Sequence, residues 1–143
     1  MRIGSHDTDE RIVMVADLDE AAGGDATKAI ELIEAAAAAG ADAVALSAVV
    51  PERRWAADQT RAIEAEGRRR LGPEDVRGPA ARAAELGLAA VLSVSDRDTL
   101  HRLADLAAAW RIEAADADFG VLLDAAGAGG MPVLLEVAHP DEV

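Results

Sequence analysis

The sequence predicts a parallel α/β fold of about five strands with flanking helices, and three observations carry that prediction. Short aliphatic, partly β-branched runs recur along the chain, segments of helical period separate them, and glycines stand at several joints between the two. Strands separated by helices imply right-handed crossovers, a parallel sheet, and functional loops at the C-terminal ends of the strands.

Residues 1–10 read as a flexible arm, and the run RIVMVADL (11–18) as the first strand. After Gly23-Gly24 the period becomes helical, with Ala29, Ile30, Ile33 and Ala37 on one face. Asp25 or Thr27 can cap that helix by accepting a backbone N–H, and Gly40 supplies the left-handed residue that ends it before a second strand over 43–50. Residues 51–71 form an amphipathic helical excursion carrying Trp55, Ala62, Ile63 and the run Arg68-Arg69-Arg70, which Gly72-Pro73 breaks. Pro79 suits the first position of a helix that reaches Leu86 and stops at Gly87, ahead of a third strand over 88–94. Ser95 and Asp98 resemble a capping box before a helix presenting Leu100, Leu103, Leu106 and Ala107. A fourth strand is expected over 110–114. Asp118 can cap a helical turn over 121–126, and a glycine-rich link (127–130) leads to a fifth strand over 132–137. Neither a linker nor an internal repeat divides the chain, so residues 1–143 are expected to form one domain.

Composition narrows the function. Fourteen basic against 27 acidic side chains give a formal charge of −13, which disfavours nucleic acid and anionic membrane surfaces as partners. Trp55, Trp110 and Phe119 are the only aromatics, leaving little for base stacking. No apolar run approaches the roughly 20 residues needed to span a bilayer, and residues 1–11 lack the apolar core of a secretory signal, so a cytoplasmic location is expected. The absence of cysteine removes disulfides, thiolate metal sites and thiol nucleophiles. His6 in the arm, His101 on a helix and His139 before Pro140 each read as surface structure. The glycine pairs lack the lysine and spacing of a phosphate loop and read as turns.

From about Arg11 to Val143 the order of elements carries a series of local strings: Val15-Ala16-Asp17-Leu18, Ala39-Gly40-Ala41-Asp42-Ala43-Val44, Leu71-Gly72-Pro73-Glu74-Asp75, Ala84-Glu85-Leu86-Gly87, Leu92-Ser93, Arg111-Ile112 with Asp116, and Met131-Pro132-Val133-Leu134-Leu135. In that succession the chain resembles the N-acetylneuraminate (sialic acid) synthase family, which condenses phosphoenolpyruvate with an amino sugar. The resemblance implies a partial (β/α) barrel, ending after the fifth strand, since a closed barrel needs about 250 residues. It also implies a degenerate site. The family's first-strand glutamate corresponds to Asp17, its Asn-His pair to Ala21-Ala22, its strand-two lysine to Ala45 and glutamine to Ser47. Its Lys-Ile-Ala-Ser-Gly-Asp reads Arg111-Ile112-Glu113-Ala114-Ala115-Asp116, and its Ser-Thr-Gly reads Glu136-Val137-Ala138. The family's metal-binding histidines lie on strands after the fifth, so no cofactor is expected, with Mg²⁺ or Mn²⁺ reserved for an enzymatic reading.

Asp17 and Arg111 are the surviving catalytic candidates, a carboxylate base and a cation for an acid group. Ser47, Ser93 and Asp116 are substrate-binding candidates, and Glu113, Asp116 and Glu136 are candidate cation ligands. The plainer reading of the acidic residues, Asp96 among them, is a solvated rim with an Arg111–Glu113 pair, and that of Arg68–Arg70 is a solvated helix end. An open barrel would expose apolar residues such as Val13, Val15, Val91 and Val133, so a homo-oligomer or a protein partner is expected to cover them. Three readings follow: a non-catalytic binding or assembly protein, a phosphoenolpyruvate-dependent sugar-acid synthase completed between subunits, and an unrelated monomeric open sheet of flavodoxin type.

Overall fold

The computed structural model describes residues 1–138, so the expectation for His139 lies outside the described residues. The chain opens on an antiparallel hairpin, β1 (Arg2–Ile3) and β2 (His6–Asp7). It continues through β3 (Val15–Asp17), α1 (Asp19–Ala22), α2 (Ala26–Ala38), β4 (Ala43–Ala48), α3 (Pro51–Arg54), α4 (Thr60–Gly67), α5 (Arg77–Glu85), β5 (Ala89–Val94), α6 (Arg97–Leu103), β6 (Ala109–Ile112), a 3-10 turn (Ala114–Asp116), α7 (Gly120–Ala128) and β7 (Val133–Leu135). The sheet has the order β3-β4-β5-β6-β7, every neighbouring pair parallel, which is the five-stranded half-barrel flanked by helices.

Strand alternation divides the core into two layers. Val44, Leu46, Leu92, Trp110 and Ile112 point outward and pack with Ile33, Val76, Ala83, Leu103 and Leu122 from the helical layer. On the inner face the register aligns Asp17, Ala45, Val91 and Ala109 at one level and Ser47, Ser93, Arg111 and Leu134 at the next. Small and apolar residues therefore form the floor of the half-barrel, and polar ones form its mouth at the C-terminal ends of the strands.

The N-terminal residues close that floor rather than forming a free arm. Ile3 is only 2% exposed and clusters with Ala43, Ala45, Ala89, Val91 and Ala109. Gly4 makes the approach possible: its φ is +59°, and a Cβ there would stand 3.0 Å from the Ala89 Cβ. Val91 is thus buried by the chain itself. Val133 does not face the interior as expected; it packs on the outer cluster, and Leu134 takes the inward position. Exposed apolar residues concentrate at the two sheet edges instead, with Ile12, Met14 and Val15 at one and Leu135 and Val137 at the other.

Local details depart from expectation for identifiable reasons. Asp25 caps α2, accepting from the backbone N–H groups of Thr27 and Lys28. Asp96, not Ser95, caps α6, since its carboxylate reaches both the backbone N–H and the hydroxyl of Thr99, at 3.0 and 2.6 Å. α7 starts after Phe119 without a side-chain cap, so Asp118 does not serve. Pro79 is the third residue of α5, still within the first turn where a missing N–H leaves no bond unmade. The excursion over 51–71 breaks into α3 and α4.

Candidate functional site

The mouth of the half-barrel is built around three arginines. Arg111, at the end of β6, donates from Nε to the Ser93 hydroxyl at 2.6 Å and from Nη1 to Asp17 at 2.6 Å, and its Nη2 pairs with Asp19. Adjacent strand ends thus bring the candidates Asp17, Ser93 and Arg111 together, and Asp19 joins them from the first turn of α1. Burial pushes the Asp19 carboxyl above the usual range, against the pull of Arg111 and Arg70. Among the described residues, Asp19 Oδ1 and the neighbouring Ser47 Oγ are both buried without a well-formed hydrogen bond. Arg111 loses hydration on burial, but the carboxylates of Asp19 and Asp17 more than compensate and hold it firmly protonated.

Arg54 and Arg70 form the second half of the network. Arg54, whose side chain is 8% exposed, contacts Glu66 at 2.6 Å, Glu113 at 2.8 Å and Asp116 at 3.0 Å. Arg70 reaches Glu113 at 2.5 Å and Asp19 at 3.5 Å, linking the two halves. Glu113 is desolvated, yet Arg54 and Arg70 outweigh that and keep its carboxyl below the ordinary range. Asp116 goes the other way: burial, with Glu113 and Glu66 nearby, pushes it up to about 6 against the attraction of Arg54. Trp55 closes this end by donating its indole N–H to Glu66.

Several expectations change here. Arg111 pairs with Asp17 and Asp19 rather than with Glu113, which belongs to Arg54 and Arg70. Arg70 is not a solvated helix end, although Arg68 and Arg69 pair with Glu64 and Glu20 on the exposed surface. Asp116 stands on the Arg54 side, away from Asp17. Asp96 is held by Arg53 at 2.6 Å and by its capping role. Glu136 accepts only a long bond, 3.4 Å, from the Ala114 backbone N–H. The candidate cation ligands Glu113 and Asp116 both pair with Arg54, and among the described residues no three His, Asp or Glu side chains converge to hold a metal ion.

Arg54, Arg70, Glu66 and Asp19 were the residues sequence reasoning missed. Asp19 had a signal, because it follows the end of β3 by two residues, where strand-end loops carry sites. A concavity of about 460 Å³ opens at the strand ends, lined by Asp17, Asp19, Glu20, Arg70, Arg111 and Glu136 among others. The carboxylates of Asp17, Asp19, Glu66, Glu113, Asp116 and Glu136 outnumber the three guanidinium groups. Chemically, this is a self-neutralising ion-pair network with an acidic surplus.

The architecture is the five-strand portion of a (β/α) barrel, with the ion-pair network at the C-terminal ends of its strands. The chain matches no protein-family model and no curated protein. Solved structures do match. The chain is similar to the N-acetylneuraminic acid (sialic acid) synthetase of Leptospira borgpetersenii serovar Hardjo-bovis, with a TM-score of 0.80 and 23% identity over 92% of this chain and 47% of that one. It is also similar to a putative spore coat polysaccharide biosynthesis protein E of Chromobacterium violaceum, with a TM-score of 0.73 and 16% identity over 90% and 41%. A truncated 3-deoxy-D-arabino-heptulosonate 7-phosphate synthase of Thermotoga maritima gives a TM-score of 0.65 and 19% identity over 88% and 40%. The fold is therefore the one the sequence resemblance implied, and the chain spans less than half the length of each of these structures. Among the described residues no helix is long and apolar enough to cross a membrane.

Proposed function

We propose that this chain is a binding or assembly protein built on a synthase-type half-barrel, pairing with a second copy of itself and not condensing phosphoenolpyruvate. The observation that carries the reading is the saturation of Arg54, Arg70 and Arg111, each held by carboxylates of its own chain. A phosphorylated enolate needs cations free to meet its charges. Entering this concavity, it would meet Asp17, Asp19, Glu20 and Glu136 instead, at a site where burial has already raised Asp19. The edges supply the assembly half of the proposal. Among the described residues β3 and β7 each leave one side of their backbone unpaired, and they carry exposed apolar side chains, a template for strand addition.

A competing reading, a phosphoenolpyruvate-dependent sugar-acid synthase completed between subunits, draws on the adjacent Asp17 and Arg111 at the concavity. One experiment separates the two. Light scattering on the eluting protein is followed by a phosphate-release assay with phosphoenolpyruvate, an amino-sugar acceptor and Mn²⁺ or Mg²⁺. An oligomer that releases no phosphate is the expected result. Metal-dependent release that disappears in Asp17→Asn would overturn the non-catalytic reading, and a folded monomer would overturn assembly.

A further inference from the structure

Residues 50–70 leave the sheet after β4 and come back beside it, and the two ends meet: the Val49 N–H donates to the Leu71 carbonyl at 3.2 Å, with both side chains buried. No residue between those ends is buried. The other long crossover helices bury apolar residues, such as Ile33 in α2, Ala83 in α5, Leu103 in α6 and Leu122 in α7. Here Val50, Ala62 and Ile63 are only partly buried and pack on neither buried cluster. Among the described residues, no backbone hydrogen bond joins 50–70 to the rest of the chain. Four arginines hold the segment down instead. Arg53 reaches Asp96 at 2.6 Å and Asp98 at 3.2 Å, at the start of α6. Arg54 reaches Glu113 and Asp116 after β6, Arg69 pairs with Glu20 on α1, and Arg70 pairs with Asp19 and Glu113. Inside the segment, Glu66 accepts from both Arg54 and the Trp55 indole, which ties α3 to α4.

We infer that residues 50–70 are a lid, latched by arginines across the C-terminal ends of the strands, which opens about the Val49–Leu71 base while the sheet stays folded. Closed, the lid neutralises the carboxylates that it meets. Open, it leaves Asp19, Glu113 and Asp116 to solvent with Arg111 among them, so its position sets the charge of the barrel mouth. The Arg53–Asp98 and Arg69–Glu20 pairs are largely exposed, and pairs of that kind are individually weak and screened by salt. The apolar packing beneath the other helices carries no such dependence. The latch therefore loosens at ionic strengths that leave the core intact. The inference concerns access to the mouth, and it stands whether the mouth binds or catalyses.

The test is hydrogen exchange on the full chain. Helices of 4 and 8 residues, the lengths of α3 and α4, do not persist away from packing, so the α4 amides exchange when the lid lifts and those of β4 and β5 report the sheet. In the double variant Arg53→Gln, Arg69→Gln the α4 amides are expected to exchange about tenfold faster at low salt, with β4 and β5 exchanging as in the parent. Arg61→Gln is the reference for loss of charge alone: Arg61 lies on α4 and meets no carboxylate among the described residues, so its α4 amides should exchange at the parent's rate. Salt at about 1 M should accelerate the α4 amides of the parent several-fold. Unchanged α4 exchange in the double variant, equal acceleration in Arg61→Gln, or indifference of the parent's α4 to salt would overturn the inference. Acceleration shared equally by β4 and β5 would overturn it too, because the segment would then belong to the cooperative unit of the sheet.

Discussion

Replacing Asp116 by asparagine tests the electrostatics of the rim with a sign that depends on pH. The Asp116 side chain is 11% exposed and lies 3.0 Å from Arg54, yet burial lifts its carboxyl from an ordinary 3.8 to about 6. A folded-state value above the unfolded one means that its favourable contribution is complete below about pH 3.8 and is lost as the pH rises through about 6. The gap, at about 1.4 kcal/mol per pH unit, corresponds to about 3 kcal/mol. Sharing Arg54 with Glu113 couples the two titrations, so we expect about 2 kcal/mol in practice. The amide in Asp116→Asn keeps the size of the side chain and loses its charge. The variant should therefore gain about 2 kcal/mol relative to the parent between pH 4 and pH 8, roughly 6 °C in Tm for a domain of this size. Urea unfolding at unit pH intervals, followed by circular dichroism, gives that difference directly, because Glu113 and Asp96 titrate in both proteins and largely cancel. A difference that stays flat across this range, or a variant that loses ground as the pH rises, would refute the reasoning.

Two further substitutions probe the rest of the framework. Arg54→Met leaves Glu66, Glu113 and Asp116 facing one another without their shared cation, and should destabilise by about 3–5 kcal/mol at pH 8; adding Asp116→Asn should recover about 2–3 kcal/mol, more than it gains in the parent because Arg54 no longer offsets the charge, as read from urea midpoints of the single and double variants. Ile3→Ala removes the side chain that closes the half-barrel floor, and should destabilise by about 2–4 kcal/mol and raise binding of an apolar dye. Loss of less than about 0.5 kcal/mol would mean that the hairpin does not support the floor.

The parallel sheet was legible because strand runs and helical period alternate, and because Gly40 and Gly87, at φ of +85° and +77°, mark where helices give way to strands. The pairing of Asp17 with Arg111 was legible from their places at strand ends. The hairpin was not, since two-residue strands carry no period and Ile3 gains its role only from strands far along the chain. Arg54 and Arg70 were hidden for a different reason. A charged residue on an amphipathic helix looks solvated, and the four helical residues of α3 or the last turn beyond α4 give no sign that they fold over the barrel mouth. Gly24 helps set that position: at φ of +75°, with a virtual Cβ 3.0 Å from the Arg68 carbonyl oxygen, it lets the link before α2 pass close to the segment that ends in Arg70. The cap of α6 was misplaced by one residue, on Ser95 instead of Asp96, because only the direction in which the strand exits decides which of two adjacent side chains reaches the Thr99 N–H.

The hairpin also bears on the order in which the chain can fold. Its residues leave the ribosome ahead of the parallel sheet, but the surface that Ile3 covers includes Ala89 and Ala109, which emerge roughly a hundred residues later. This early stretch of the nascent chain must therefore wait for the third and fourth strands of the parallel sheet before it can dock. Long-range closure of this kind slows folding relative to local helix packing. A reporter placed at Ile3 would register the final step of folding, while one in α2 against α5 would register an early one.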